Sequence, residues 1–248
     1  TQPEEMVSKI TGEGVITSNV TYQGADIAKG IFEGGNTTNL GLSSGIVLST
    51  GEVNSVPGPN SNCATSGFNN MPGHPLFNLL SPFGLNSVDA SILEFDFYPE
   101  SDTIRFTYVF GSESYNDWVG LLEDVFACFV SGPNPQGGSY INKNIAIVPG
   151  TQDTYIGSMT INNGFSDCLE LPTGPCVNCE YYIDNTEGTS LECDGFTVVL
   201  EANVSVIPCE EYHILLGVAE FESSANDGNV FIQQTDYQSP VMQITLSP

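Results

Sequence analysis

Positive charge is nearly missing from this sequence: 4 Lys and Arg stand against 30 Asp and Glu in 248 residues, a formal net charge of −26. A field of that sign argues against nucleic acid as a partner and opposes docking on anionic lipid. Cations are its natural counterpart. Histidine is almost as scarce, with only His74 and His213. His213 alternates against the apolar Tyr212, Ile214 and Leu216, which reads as a structural side chain, so a Ser-His-Asp or Cys-His centre has little to build with. Paired carboxylates can hydrolyse glycosides, but among thirty acids such pairs arise by accident. No residue is assigned a catalytic role and no organic cofactor is expected. No apolar run approaches the roughly 20 residues of a membrane helix, so no membrane insertion is expected. The chain starts at Thr1 without a charged-then-apolar leader, which suits an exported protein whose signal has been removed.

What is present suffices for a packed core: 40% hydrophobic residues, with 14 Phe and 10 Tyr. All-β sandwiches often run to about 200–250 residues as one unit, so residues 1–240 are read as a single domain with a short tail at 241–248. Residues 3–11 predict a helix, with Pro3 in the first turn, Glu4 and Glu5 at its positive end, and Met6, Val7 and Ile10 on one face. After Gly14 the period changes to two. Phe196, Val198, Leu200, Ala202, Val204 and Val206 share one face of a predicted strand, with Val199 out of pattern. Ile104, Phe106, Tyr108 and Phe110 mark a second strand, Leu93, Phe95 and Phe97 a third, and Tyr212, Ile214, Leu216 and Val218 a fourth. Each reads as half-buried, with one face wet. Residues 51–90 lack alternation and read as a long excursion with a helical turn near 77–80. The expected fold is all-β: an antiparallel two-sheet sandwich, jelly-roll-like, with a short N-terminal helix and long loops.

Seven cysteines favour an oxidising compartment. Cys128 lies in the apolar run 125–130 and is expected to be the free, buried thiol. Cys63, Cys168, Cys176, Cys179, Cys193 and Cys209 are the candidate disulfide cysteines, with 15 possible pairings that spacing cannot resolve. A zinc site from the four thiols at 168, 176, 179 and 193 is the weaker alternative.

Acids gather where predicted strands end. Glu113 and Asp117 follow the strand ending near Phe110, Asp124 opens the next, and Glu220 and Asp227 follow another. Oxygen-rich loops of this kind suit Ca²⁺, which takes 6–8 hard ligands, and these five residues are the candidate metal ligands. The plain alternative is a set of solvated acids and caps. No twelve-residue EF-hand spacing is present. Tyr115 and Trp118 on the same loop offer aromatic faces on which a sugar ring can stack, or else anchor the loop to the core. Asn19, Asn36 and Asn203 open glycosylation triplets, which arise often by chance.

Several runs, taken in order, carry a resemblance: TNLGLSSGIVLSTG at 38–51, DASILEFDF at 89–97, YVFGSESY at 108–115, DVF at 124–126, SGP at 131–133, DGFT at 194–197 and CEEYHI at 209–214. Together they resemble the choice-of-anchor L domain, over roughly residues 5–238. The resemblance implies an exported bacterial module of the cell surface, with adhesive or structural duties and no established catalytic activity. Where the family has Ser-Glu-Glu-Tyr, this chain has Ser112-Glu113-Ser114-Tyr115. A metal site would therefore lean on Glu113, Asp117 and Asp124, with Glu220 standing where the family often has Asp.

No membrane helix, basic tail or sorting segment follows Pro240, so an anchor is expected either to have been trimmed or to be supplied by neighbours. The last eight residues alternate, with Met242, Ile244 and Leu246 on one face. Such a strand pairs at the edge of its own sandwich or, as an assembly strand, with a sheet of the next subunit. The expected function is therefore a non-enzymatic extracellular or cell-surface structural or adhesive protein, whose partners are copies of itself or other surface and matrix proteins. A calcium-dependent glycan-binding module is the alternative.

Overall fold

The structure, a computed structural model, describes residues 1–12, 15–81, 83–167, 170–221 and 225–234. The predicted assembly strand with Met242, Ile244 and Leu246 lies outside them, as does Cys168. Helix α1 (Pro3–Thr11) forms as its signals require: Pro sits in the first turn, Glu4 and Glu5 face the positive end, and Met6, Val7 and Ile10 are buried.

The chain then alternates between two antiparallel sheets. The strands are β1 (Ile16–Gln23), β2 (Lys29–Phe32), β3 (Gly45–Ser49), β4 (Ser87–Tyr98), β5 (Thr103–Ser112), β6 (Glu123–Pro133) and β7 (Ser139–Asn144). They continue with β8 (Ile156–Gly157), β9 (Tyr182–Asp184), β10 (Gly195–Thr197), β11 (Leu200–Ser205), β12 (Tyr212–Phe221) and β13 (Gly228–Gln233). The first sheet runs β1-β4-β12-β6-β7, with β8 on β6; the second runs β2-β3-β13-β5-β10-β9, with β11 also on β5. The inward faces carry the predicted sets at 93–97, 104–110 and 212–218, packed with Phe126, Leu48 and Val230. Tyr108 and Phe126 meet across the sheets with ring centroids 4.6 Å apart.

Two expectations need correction. The central strands are not half-wet: β12 and the first eight residues of β6 are almost wholly buried. The outward Val125, Ala127, Phe129 and Leu215 are covered by Phe77, from the short helix α2 (Pro75–Asn78) inside the predicted excursion. On the second sheet Leu40, Leu42 and Leu191 cover Val109 and Phe231 in the same way. Loops thus supply outer layers, and only β11 keeps a clean alternation of buried and exposed residues. Nor is 196–206 one strand. Phe196 pairs with Gly111 and Leu200 with Tyr108, so four residues on one side span three on the other. This one-residue insertion, at the out-of-pattern Val199, moves side chains to the opposite face. Phe196 accordingly packs outside the second sheet, while Leu200, Ala202 and Val204 pack inside.

The cysteines also differ from expectation. Cys176 and Cys179 form a disulfide, and Cys63 is disulfide-bonded as well. Cys128 is free and buried, as expected, but Cys193 and Cys209 are free too. They sit at opposite ends of β5: Cys193 packs against Gly111, whereas the Cys209 N–H donates to Pro99 O. At about 3.3 Å per residue that strand holds them roughly 25 Å apart, and a disulfide needs Cα atoms within about 7 Å.

Candidate functional site

Two of the strand-end acids meet because β6 and β12 keep their register to the last residue. On β12 the inward series Leu216, Val218 continues to Glu220; on β6 the series Val130, Cys128, Phe126 continues to Asp124. Glu220 and Asp124 are register partners, so two acids face one another across neighbouring strands, pointing between the sheets. From the second sheet, β5 contributes Ser112 beyond Phe110, Thr50 follows the inward Leu48 at the end of β3, and β13 begins at Gly228. A Cβ on Gly228 would lie 2.8 Å from the Cβ of Asp124, so only glycine admits the carboxylate there. Ser112 Oγ donates to Asp124 Oδ2 at 2.5 Å. Asp89 lies at a one-residue bulge of β4, where Ser91 to Val88 spans Val218 to Glu220, and there, with a left-handed φ of 45°, it adds a further acid beside Glu220 and Asp227.

The loops close over this end. Asp227 N–H donates to Thr65 O, and Gly67 N–H donates to Asp227 Oδ1 at 2.8 Å. A Cβ on Gly51 would lie 1.7 Å from Asp227 Oδ2. Asp89, Asp124, Glu220 and Asp227 are each at most 3% exposed. Burial pushes Asp124 up to about 7 and Asp227 to about 6, and raises Glu220 well above the usual carboxylate range, with Asp124 as its next largest cause.

Of the five predicted ligands, Asp124, Glu220 and Asp227 come together here. Glu113 points to the other side of the second sheet, where it accepts from Thr65 N–H at 3.3 Å. There Glu113, Glu52 and Asn229 line a cavity of about 10 Å³ that Asp227 also borders, so Asp227 stands at the end of the second sheet with Glu113 on one side and the Asp124 pair on the other. Burial, reinforced by Asp194, pushes Glu113 up to about 10. Asp117 is half-buried and raised to about 6 by burial, with Asp167 as its charged neighbour. It stands apart from the Asp124 group. Asp89, Glu192 and Asp194 are buried acids that sequence reasoning missed. For Asp89 alternation offered no signal, because a one-residue bulge of β4 separates it from the Leu93 series.

Among the described residues, the one group with three ligand atoms of His, Cys, Asp or Glu within 4.8 Å of one another is Cys176, Cys179 and Glu180. Its two sulfurs are bonded to each other, and Cys193 is a buried free thiol elsewhere, so among the described residues the predicted zinc alternative loses the thiolates of Cys176 and Cys179. No three buried acids meet that spacing. Tyr115 offers no face to a sugar: it is fully buried, 5.0 Å from the Tyr182 ring and 6.5 Å from that of Phe110. Trp118 is partly covered, its indole N–H buried. His74 accepts from Leu76 N–H as the cap of α2, and His213 lies between Asp96 at 2.7 Å and Glu94 at 3.5 Å.

The order and spacing of these segments match a family model over residues 1–238, that of the choice-of-anchor L domain. The chain belongs to that family. A choice-of-anchor L domain is a module of bacterial surface or secreted proteins, and among the described residues no helix is long and apolar enough to cross a membrane. No curated protein and no solved structure matches the chain.

Proposed function

We propose that this choice-of-anchor L domain is a non-enzymatic structural or adhesive module of the cell surface that assembles by strand addition. The supporting observation is the edge of the first sheet. Strand β7 pairs with β6 alone among the described strands, and its Ile141 is 81% exposed. An exposed edge with an outward apolar residue is a template for another strand. A strand that pairs with the next copy in this way builds a chain that does not close. The engagement of both histidines, one in a cap and one between two carboxylates, supports the absence of a catalytic role.

Negative-stain electron microscopy of the purified full chain tests the reading. Ordered fibres are expected. Ile141→Lys, which places a charge on the receiving edge, and deletion of residues 241–248 should each leave folded monomers. Monomers from the unaltered chain, or unaltered fibres from both variants, would reject assembly by strand addition.

A further inference from the structure

Buried carboxylates ordinarily come with a buried cation from Lys or Arg. This chain has four such side chains, and each is engaged elsewhere. Lys9 reaches Gln234 at 3.4 Å, Lys29 pairs with Asp26 at 2.5 Å, Arg105 pairs with Glu201 at 3.2 Å, and Lys143 lies over the Tyr140 ring. None reaches Asp89, Asp124, Glu220 or Asp227.

The hydrogen bonds leave the same deficit. Glu220 is 1% exposed, and among the described residues neither of its oxygens has a hydrogen-bond partner. Thr50 lies beside it and accepts from Gly228 N–H at 2.8 Å; its single hydroxyl proton faces Gly228 O at 3.5 Å as well as Glu220, so it supplies at most one neutral donor and no positive charge. Asp89 spends Oδ1 on Met71 N–H, and its Oδ2 is buried without a partner. Among the described residues three buried carboxylate oxygens thus lack donors, with Asp124 opposite Glu220 in register and Asp124, Asp227 and Asp89 its charged neighbours. Leaving them so is costly, and like charges directly opposite across a sheet repel.

We propose that Asp89, Asp124, Glu220 and Asp227 bind a divalent cation of the calcium class at the acidic end of the sandwich, with Asp124 and Glu220 reaching it from between the sheets and Asp227 from the rim. The donors are hard oxygens, which suit Ca²⁺ and not a soft metal. Among the described residues no three of these acids bring oxygens within 4.8 Å of one another, so binding draws the carboxylates inward onto the ion. Backbone carbonyls and hydroxyls of the covering loops complete such a shell. The cation joins β4, β6, β12 and the turn before β13, elements distant in sequence. The site lies in the interior of the fold and does not depend on filament formation.

Thermal unfolding and calorimetry of the full chain, in chelator, Ca²⁺ or Mg²⁺, test it. Ca²⁺ at about 100 times its Kd is expected to raise Tm by roughly 5–10 °C, with a smaller response to Mg²⁺, which resists dehydration into an all-protein cage. Glu220→Gln should abolish the Ca²⁺ shift while leaving Tm in chelator equal or higher, because it removes a buried charge and keeps the shape. Asp117→Asn should keep the full shift. Should Glu220→Gln fail to fold, Asp124→Asn serves the same comparison. A wild-type Tm and heat signal indifferent to millimolar Ca²⁺, an equal response to Mg²⁺, or a full shift in the folded Glu220 or Asp124 variant would overturn the proposal. Fibres that form in chelator would leave the assembly reading intact even then.

Discussion

Two neighbouring rungs of the same strand pair behave as opposites. Val218 faces Phe126 across β12 and β6, and two residues further along Glu220 faces Asp124. Both pairs point between the sheets and all four residues are buried. The first rung is held by apolar area and by the Tyr108 ring, interactions indifferent to pH and ions. The second is a pair of desolvated carboxylates, stable only when protonated or joined to a cation. One sandwich therefore has a dry end that sets its stability and an acidic end that makes this stability conditional.

The largest break in that comparison comes from the dry rung. Phe126→Ala removes a buried ring and leaves a cavity, with an expected loss of about 3–5 kcal/mol. For a chain of this size that corresponds to a fall in Tm of about 6–20 °C. The loss should be the same at pH 5 and pH 8, with or without Ca²⁺. A loss confined to one of these conditions, measured by calorimetry, would mean that the two ends are energetically inseparable.

The second effect belongs to the acidic end alone. Asp124, raised to about 7, and Asp227, raised to about 6, hold protons in the folded chain that they give up near pH 4 when unfolded. The folded state binds more protons, so this contribution is complete below about pH 4 and is lost as pH rises through 6 and 7. Asp124 faces Glu220 across the strand pair and the two acids titrate together, so the loss of stability between pH 5 and pH 7 belongs to the pair. In chelator, Tm should therefore fall over that interval. With saturating Ca²⁺ the slope should flatten or reverse, because the metal takes the deprotonated form. A Tm in chelator that rises from pH 5 to pH 7 would contradict the assignment of these acids as the dominant buried titrating groups.

The dry end was the more legible in the sequence. Period-two alternation located the inward residues of β4, β5 and β12, and Pro3 with the apolar stripe of Met6, Val7 and Ile10 located α1. What alternation does not encode is the covering of the outer faces by loops, hence the central strands taken as half-wet. Nor does it reveal a one-residue insertion: Phe196 and Leu200 share a parity in sequence and lie on opposite faces because the pairing slips between them. The acidic end was legible in part. Asp124, Glu220 and Asp227 stood out as acids at strand ends, and the same parity places the first two inward. Glu113 and Asp117 looked equivalent to them, yet one lies across the second sheet and the other beside Asp167. Distance from a strand end does not specify a face once the chain has turned.

The smallest expected effect tests whether burial, rather than charge number, sets the contrast. Glu201 on β11 alternates outward and pairs with Arg105 at 3.2 Å, with both side chains solvent-exposed. An exposed pair of this kind contributes about 0–1 kcal/mol, since water and salt already screen both partners. Glu201→Gln removes the same formal charge as Glu220→Gln from the same net −26. If the acidic end responds to total charge, the two substitutions should change the Ca²⁺ shift alike. If it responds to a desolvated pair, Glu201→Gln should move Tm by no more than about 1–4 °C and leave the Ca²⁺ shift untouched. Side-by-side melting curves of the two variants decide between these. A matching loss of the shift in both would reduce the calcium effect to screening of a highly negative surface.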